Sequence, residues 1–317
     1  MASRKKDVPA KKEVPTQMKL RHAVPLTRDS QGIYSLAWSP DGQELIVGFG
    51  NGAIQAVNPA NGKPSRDIFS GGVSRQATTC LCFHPKDPSH LITVGAEGIV
   101  AVYDTKTGKC KSTITEENTY LYTVDISADG STYATAGSNR GIKIYDTRTN
   151  QVINILEPAD YVTSGKELNP IDGHTRRIFA VRFHPEERHI FVSGGWDDSI
   201  KIWDKRMASE ARKVLTGPHI CGPAIDIKNS KILTGSWVAK HALQIWDFRN
   251  QPRIRTFRSA RIRITASSST QLGFVPMMSS LLEGVGPTAS KLSIIKQIRP
   301  WGRLNCMHIL CMLLPLR

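Results

Sequence analysis

Five short segments with a common ending recur along the chain and restrict its fold more than any other feature. The segment IKIWD (200–204) has close counterparts in LQIWD (243–247), IKIYD (142–146) and VAVYD (100–104), and a weaker one in IQAVN (54–58). Three of the four intervals between successive endings are 42 to 46 residues long. Self-similarity with a period of about 40–45 residues indicates an array of equivalent structural units.

Each unit repeats more than its ending. It begins with alternating apolar and polar residues that run into a tight reversal, as in IYSLAWSPDG (33–42), ATTCLCFHPKD (77–87), LYTVDISADG (121–130), IFAVRFHPEE (178–187) and PAIDIKNS (223–230). A second apolar strand, the Trp/Tyr–Asp strand and an outer segment such as KPSRDIF or QVINILE follow. Alternation bounded by Pro, Gly, Asp and Asn predicts strands, so we expect five four-stranded units in a radial all-β array.

The units resemble WD40 repeats, and the fourth unit carries the resemblance best. Gly173-His174 opens it, Ser193 lies in its second strand, Asp197 follows in the next turn, and Trp203-Asp204 closes it. The resemblance implies that His174, Ser193, Asp197 and Trp203 form a buried structural tetrad within one blade. Their chemistry fits such a chain, because the indole N–H only donates whereas the hydroxyl and the imidazole both donate and accept.

The resemblance implies a WD40-like β-propeller with five recognisable blades of a seven-blade design. We expect a basic flexible arm at 1–18, the blades at 19–257, and an atypical basic and apolar tail at 258–317. The tail has no Trp/Tyr–Asp ending, which indicates either an altered chain end that leaves the array open or two degenerate blades. KLRHAVPL (19–26) is a candidate strand for closing the array with C-terminal partners.

The formal charge of +15 lies at the two ends of the chain. Lysines and arginines are balanced by acids over residues 29–250, so a nucleic-acid interpretation does not extend to the blades. The basic segment RIRTFRSARIRI contains Arg253, Arg255, Arg258, Arg261 and Arg263. With the N-terminal arm it gives an alternative function, a nucleic-acid-associated propeller; a solvated basic edge is the simpler interpretation.

Enzyme signals are weak. GFGNG (48–52) is glycine-rich but leads into another strand rather than the helix that a phosphate-binding turn requires. HPEERH (184–189) falls where each unit makes its first reversal and is interpreted as a turn rather than a metal site. We therefore predict no catalytic residues, no metal and no cofactor.

The predicted function is a non-catalytic scaffold that binds protein or peptide partners, within a multi-protein complex, on the loop faces of the propeller. Aromatic and arginine side chains are the usual anchors of such interfaces. The candidates are Tyr161, in a long connection between units 3 and 4, and the turn residues Arg176, Arg177, Trp196, Trp237 and Lys240. The alternatives are that the connection is a tolerated insertion and that the tryptophans pack between blades.

The N-terminus, MASRKKDVPAKKEVP, does not resemble a signal peptide, and no run of 18 apolar residues predicts a membrane span. The six cysteines indicate reduced thiols rather than a disulfide framework. We therefore expect an intracellular protein, cytoplasmic or nuclear, without a membrane partner.

Overall fold

The computed structural model describes residues 31–72, 76–159, 169, 171–207, 210–238 and 242–249, and the backbone of four further strands at 20–25, 253–257, 291–296 and 309–312. These residues form five antiparallel four-stranded sheets in chain order. The all-β fold with five four-stranded units, predicted from the repeats, is confirmed.

We name the five sheets blades 1 to 5. Their strands, from the inner to the outer edge, follow. Blade 1 contains β2 (Ile33–Trp38), β3 (Leu45–Phe49), β4 (Ile54–Asn58) and β5 (Lys63–Phe69). Blade 2 contains β6 (Thr78–His84), β7 (Asp87–Gly95), β8 (Ile99–Asp104) and β9 (Cys110–Thr115). Blade 3 contains β10 (Leu121–Ile126), β11 (Thr132–Gly137), β12 (Ile142–Asp146) and β13 (Val152–Leu156). Blade 4 contains β14 (Ile178–Phe183), β15 (Ile190–Gly195), β16 (Ser199–Asp204) and β17 (Lys213–Thr216). Blade 5 contains β18 (Ile225–Lys228), β19 (Lys231–Gly235), β20 (Leu243–Asp247) and β21 (Arg253–Phe257).

A sixth, three-stranded sheet combines the two ends of the chain. Its strands are β1 (Leu20–Pro25), β22 (Lys291–Lys296) and β23 (Ile309–Met312), in the order β1-β22-β23. β1 pairs antiparallel with β22, so the candidate closing strand near the N-terminus has a C-terminal partner. Residues 1–19, which include the predicted arm, and residues 258–290 of the tail lie outside the described residues.

The core consists of apolar layers between successive blades. Ile46, Ile54 and Ala56 of blade 1 pack against Leu81 and Leu91 of blade 2, and similar clusters join blades 2 and 3, 3 and 4, and 4 and 5. This arrangement follows from period-two alternation, because each strand presents alternate side chains to the two neighbouring blades. Trp203 is buried in the layer between blades 3 and 4.

In blades 1 and 3 the first reversal contains a Ser-x-Asp-Gly sequence. In blade 3 the Ser127 hydroxyl donates to Asp129 Oδ1 at 2.6 Å, and the Ser131 amide donates to the same oxygen at 3.0 Å. Gly130 adopts a φ of 78°, a left-handed conformation that favours glycine. A Cβ at this position would also lie 2.3 Å from Nε2 of His84 in blade 2, so glycine is required for blade packing as well.

Within the described part of the chain, no helix is long and apolar enough to cross a membrane.

Candidate functional site

At one end of the blades, all five blades share an equivalent backbone hydrogen bond. The turn between the second and third strands donates a backbone N–H to the segment that opens the same blade. The five pairs, with N···O distances of 2.8–3.0 Å, are Gly50–Gly32, Ala96–Ala77, Ser138–Tyr120, Trp196–Arg177 and Trp237–His219. We call this end of the molecule the loop face. It brings segments that are distant in sequence onto one surface.

A row of stacked rings crosses the loop face from blade 3 to blade 5. Tyr122 stacks on Phe179 with ring centroids 4.6 Å apart, and Phe179 stacks on Trp196 at 5.2 Å. Trp196 in turn stacks on His219 at 6.4 Å. The guanidinium carbon of Arg177 lies 5.4 Å from the centroid of the Trp196 ring, within the range of a cation–π interaction. These five residues are called the aromatic row below.

The aromatic row is packed on one side and open on the other. Trp196 is 36% exposed although it touches rings of blades 4 and 5, so packing between blades and exposure to a partner are compatible for this residue. Trp237 and Tyr120 on the same face are 44% and 57% exposed. Large exposed aromatic side chains that share one surface are typical of interaction sites.

The structure places the sequence-predicted binding residues in two groups. Arg176, Arg177, Trp196 and Trp237 lie exposed at the loop face, and Arg177 contacts Trp196 directly. Tyr161 and Lys240 lie outside the described residues, as do Arg258, Arg261 and Arg263 of the basic segment. Arg253 and Arg255 fall on β21, for which only the backbone is described.

Blade 4 brings the four predicted tetrad residues together in one hydrogen-bonded chain. Asp197 Oδ2 lies 2.7 Å from His174 Nδ1, and the Ser193 hydroxyl lies 2.6 Å from His174 Nε2. The Trp203 indole N–H donates to Ser193 Oγ at 2.7 Å. With Nδ1 donating to the carboxylate, Nε2 accepts from Ser193, whose oxygen is then free to accept from Trp203. These hydrogen bonds link the opening loop of blade 4 to its second and third strands.

Electrostatics reinforces this proton arrangement. Burial lowers the pKa of His174 and outweighs the opposing influence of Asp197, which favours the neutral imidazole. Burial alone would raise the pKa of Asp197, but hydrogen bonds from His174, Ser199 and the Thr175 amide lower it below its ordinary range. With a neutral histidine and an ionised aspartate, every hydrogen-bond donor among the four tetrad side chains has an acceptor.

A serine, a histidine and an aspartate joined in this order by hydrogen bonds also form the catalytic triad of serine hydrolases. Here Ser193 is 0% exposed and His174 is 1% exposed. The Ser193 oxygen already accepts the indole N–H of Trp203. A nucleophile must reach a substrate carbonyl, and this hydroxyl is enclosed between strands.

Blade 3 contains a second polar network that the sequence interpretation missed. The Glu116 side chain is 2% exposed, and its Oε1 accepts from the Thr135 hydroxyl at 2.6 Å and from the Tyr145 hydroxyl at 2.9 Å. Lys143 Nζ lies 3.0 Å from Oε2. Thr135 pairs with Lys143 in the sheet just as Ser193 pairs with Lys201, so the two networks occupy equivalent places in their blades.

A sequence signal for this network exists in the second strands. A hydroxyl residue holds the same register position in four blades, which are represented by Thr93, Thr135, Ser193 and Thr234. In blade 5 the Trp246 indole N–H donates to the Thr234 hydroxyl at 3.0 Å. The recurring hydroxyl takes part in the hydrogen bonds of blades 3, 4 and 5, whereas the Gly-His opening is found in blade 4, where histidine is the partner.

Comparisons with known proteins agree with the repeats and the geometry. The family model "WD domain, G-beta repeat" matches residues 22–55, 108–146 and 165–204. The last of these segments contains the complete hydrogen-bonded chain of blade 4. The chain is a WD40-repeat protein. The matches to three separate segments confirm the resemblance inferred from the Trp/Tyr–Asp endings, and they identify no subfamily.

Relatives among characterised proteins are distant. The chain is 22% identical to "Cell division cycle 20.1, cofactor of APC complex" of Arabidopsis thaliana, over 77% of this chain and 52% of the relative. It is 24% identical to "WD repeat-containing protein 1" of Bos taurus, over 59% of this chain and 29% of the relative. The WD40 chain thus spans about half the length of the first relative and less of the second.

Among solved structures, a chain of the "Crystal Structure of Mitotic Checkpoint Complex" is similar with a TM-score of 0.62. The match has 18% sequence identity and covers 81% of this chain and 74% of that chain. At this identity the likeness establishes the propeller fold and nothing more specific.

Proposed function

We propose that this WD40 protein is a non-catalytic scaffold that binds protein or peptide partners on the loop face of blades 3 to 5. The aromatic row carries the proposal, because it combines stacked rings, an arginine over the ring of Trp196 and partial exposure. Aromatic and arginine side chains dominate the energetics of protein interfaces, and a rigid array of rings loses little entropy on binding.

The tetrad supports the non-catalytic half of this proposal. All four of its side chains are engaged with one another, and the serine and histidine are buried. We infer that it holds the opening loop of blade 4 against its strands and thereby positions Arg176, Arg177 and Trp196. Its role at the binding surface is therefore indirect.

The relatives are consistent with partners of protein nature. One relative is described as a cofactor of the APC complex, and the similar solved chain belongs to a mitotic checkpoint complex. We infer that the present protein likewise acts within a multi-protein assembly. Because these similarities are distant, the partners of the relatives are not assigned to this protein.

The test is affinity capture with the full chain, after nuclease treatment and at about 300–500 mM salt, where phosphate contacts weaken steeply. Arg177→Glu and Trp237→Ala should remove a common set of captured proteins. Arg148→Glu makes the same charge change at an exposed position on the opposite end of blade 3, and should retain that set.

If the captured set is the same for all variants, the loop face of blades 3 to 5 is not the binding surface. If capture requires nucleic acid, the scaffold proposal is wrong and the result favours nucleic-acid binding by the basic segments. A melting temperature equal to that of the wild type is required of each variant, so that unfolding is not mistaken for lost binding.

A further inference from the structure

In four blades, the turn between the second and third strands has its third residue in the left-handed region of φ. In blades 1 and 2 this residue is a glycine, Gly52 or Gly98, with a φ of 84° or 77°. In blades 3 and 4 it is Arg140, with a φ of 68°, and Asp198, with a φ of 54°. This conformation is unfavourable for a residue with a Cβ, because the Cβ lies close to the following carbonyl oxygen, and glycine avoids that contact. Two charged residues therefore lie on the loop face at positions where glycine would suit the backbone better.

Contacts within the protein explain the side chain of Asp198 but not that of Arg140. Asp198 Oδ1 lies 2.6 Å from His219 Nδ1 in the segment that opens blade 5. The Arg140 side chain is partly exposed, and it makes no hydrogen bond, ion pair or ring contact with any other residue that the structure describes. Residues held in unfavourable backbone conformations are concentrated at functional sites. Arg140 is therefore a candidate for a contact with another molecule.

Other groups hold the turn of blade 3 in place. The Ser138 amide donates to the carbonyl oxygen of Tyr120 at 2.9 Å, and the Ser138 hydroxyl accepts the Tyr120 amide at 2.8 Å. Asn139 Oδ1 accepts the Gly141 amide at 3.3 Å. The guanidinium of Arg140 takes part in none of these contacts, and the Tyr120 ring on the same face is 57% exposed. The turn thus presents an arginine whose charged group is not needed to hold the turn.

The charges on the loop face indicate which kind of group Arg140 binds. A guanidinium binds carboxylates and phosphates most strongly, through two parallel N–H···O hydrogen bonds. Glu117, in the segment that opens blade 3, is exposed, and the Asp198 side chain is 61% exposed. These carboxylates would repel a continuous polyphosphate backbone, whereas a protein can present a single carboxylate that avoids them. The surface therefore favours an acidic side chain of a protein over nucleic acid.

We propose that Arg140 binds a carboxylate of the partner protein, so that the binding surface extends from the aromatic row to the turn of blade 3. This inference rests on the proposed scaffold function and adds the chemistry of one partner group. The exposed rings of Tyr120 and Trp196 on the same face would contact apolar groups that flank this carboxylate. Added salt should weaken the contact, because it screens an ion pair at an exposed position.

The test uses the most abundant protein that the wild-type chain captures and that Trp237→Ala loses, purified and titrated against each full-length variant. Arg140→Gly should weaken its binding by about tenfold, since a hydrogen bond between charged groups is lost. Arg148→Gly, the same substitution at an exposed position on the opposite end of blade 3, should bind like the wild type. The melting temperature of Arg140→Gly should not fall, because relief of the left-handed conformation offsets the greater freedom of glycine in the unfolded chain.

Arg140→Lys keeps the positive charge and provides a probe of the partner group. A water-soluble carbodiimide joins a lysine amine to a carboxylate in contact with it through an amide bond, and the carbodiimide takes up the water that is lost. This variant should therefore bind the partner and cross-link to it at the substituted position, which mass spectrometry of the digested complex locates. The wild-type chain should give no cross-link there, because a guanidinium does not react in this way.

The outcomes separate this inference from the scaffold proposal. If Arg140→Gly binds the partner as tightly as the wild type, or if its melting temperature falls markedly, Arg140 is not a binding residue, although the loop face remains the binding surface. If Arg140→Lys binds the partner without the cross-link, the partner group is not a carboxylate and the inference is wrong. If no captured protein depends on Trp237, the scaffold proposal fails and this inference fails with it.

Discussion

At the scale of single residues, blade 4 shows how one buried proton arrangement fixes a loop. Asp197 accepts from His174 Nδ1, from the Ser199 hydroxyl and from the Thr175 amide. A neutral amide in its place has only one oxygen and brings a donor toward donors. The neighbouring Asp198 instead adopts a φ of 54° and has a side chain that is 61% exposed. Two adjacent carboxylates therefore have very different consequences for stability.

Asp197→Asn should lower the free energy of unfolding by about 1–3 kcal/mol, because it leaves buried donors without acceptors. Asp198→Asn should change it by less than about 0.5 kcal/mol, since asparagine tolerates a positive φ and the site is exposed. Urea unfolding followed by tryptophan fluorescence measures both. Equal effects of the two substitutions would show that the hydrogen-bonded chain contributes nothing particular.

His174 makes stability depend on pH. Burial lowers its pKa in the folded state from an ordinary 6.5, with Lys201 acting in the same direction and Asp197 opposing. The unfolded chain then binds the proton more readily, so this contribution is complete above the unfolded pKa and declines as pH falls below it. The lowered pKa of Asp197 adds a further loss only at more acidic pH, below its ordinary 3.8.

We therefore expect the urea midpoint to fall between about pH 7 and about pH 5, and to fall less steeply in His174→Asn. A part of the slope should remain in the variant, because burial also lowers the pKa of His90. A midpoint that is constant over this range, or a slope unchanged in the variant, would contradict the neutral buried histidine.

At the scale of the blade, equivalent places in blades 3 and 4 hold hydrogen-bonded networks of different chemical composition. Blade 4 joins its strands through imidazole and serine, whereas blade 3 uses the Glu116 carboxylate with Thr135, Tyr145 and Lys143. Burial, followed by the nearby Glu116, raises the pKa of Tyr145, which keeps its hydroxyl a donor. What blades 3 and 4 share is a hydroxyl of the second strand that takes part in the network, rather than one residue type as its partner.

Glu116→Gln should lower the free energy of unfolding by about 1–3 kcal/mol, because two buried hydroxyl donors and Lys143 lose the carboxylate they share. Glu117→Gln is the matched control at the next, exposed position and should be nearly neutral. Thermal unfolding of both variants compares them directly. A control as damaging as Glu116→Gln would mean that lost charge, rather than the network, explains the effect.

How far the sequence predicts a blade depends on which residues carry the signal. Alternation and the Trp/Tyr–Asp endings predicted the strands of each unit, because successive side chains of a strand point to opposite faces of its sheet. The contacts of blade 4 were predictable since the resemblance names each partner. Glu116 was not, because it lies at the start of a blade that has no opening Gly-His, and its partner Tyr145 is 29 positions further along the chain. The stacking of Tyr122 on Phe179 likewise depends on two inner strands being adjacent in space.

At the scale of the whole molecule, neighbouring blades are joined by polar contacts as well as by apolar layers. Asp125 of blade 3 accepts the backbone amide of Phe183 in blade 4 at 2.6 Å and the Arg182 guanidinium at 3.3 Å. Burial raises the pKa of this carboxyl, against the opposing effect of Arg182. On the other side, Asp226 of blade 5 lies 4.0 Å from Arg182 Nε. One arginine thus lies between the carboxylates of two flanking blades.

Removal of Asp125 should lower the free energy of unfolding far more than removal of Asp226. Asp125→Ala leaves a buried amide without an acceptor and separates Arg182 from its nearer partner, so we expect a loss of about 2–4 kcal/mol in unfolding free energy. Asp226→Ala removes a half-exposed carboxylate at the limit of an ion pair and should cost less than about 1 kcal/mol. Urea unfolding gives both values, and hydrogen exchange at the Phe183 amide should accelerate in Asp125→Ala alone. If the two variants lose the same stability, or if that amide stays protected, blades 3 and 4 are held together by their apolar layer, and the inner carboxylate contributes little to the joining of blades.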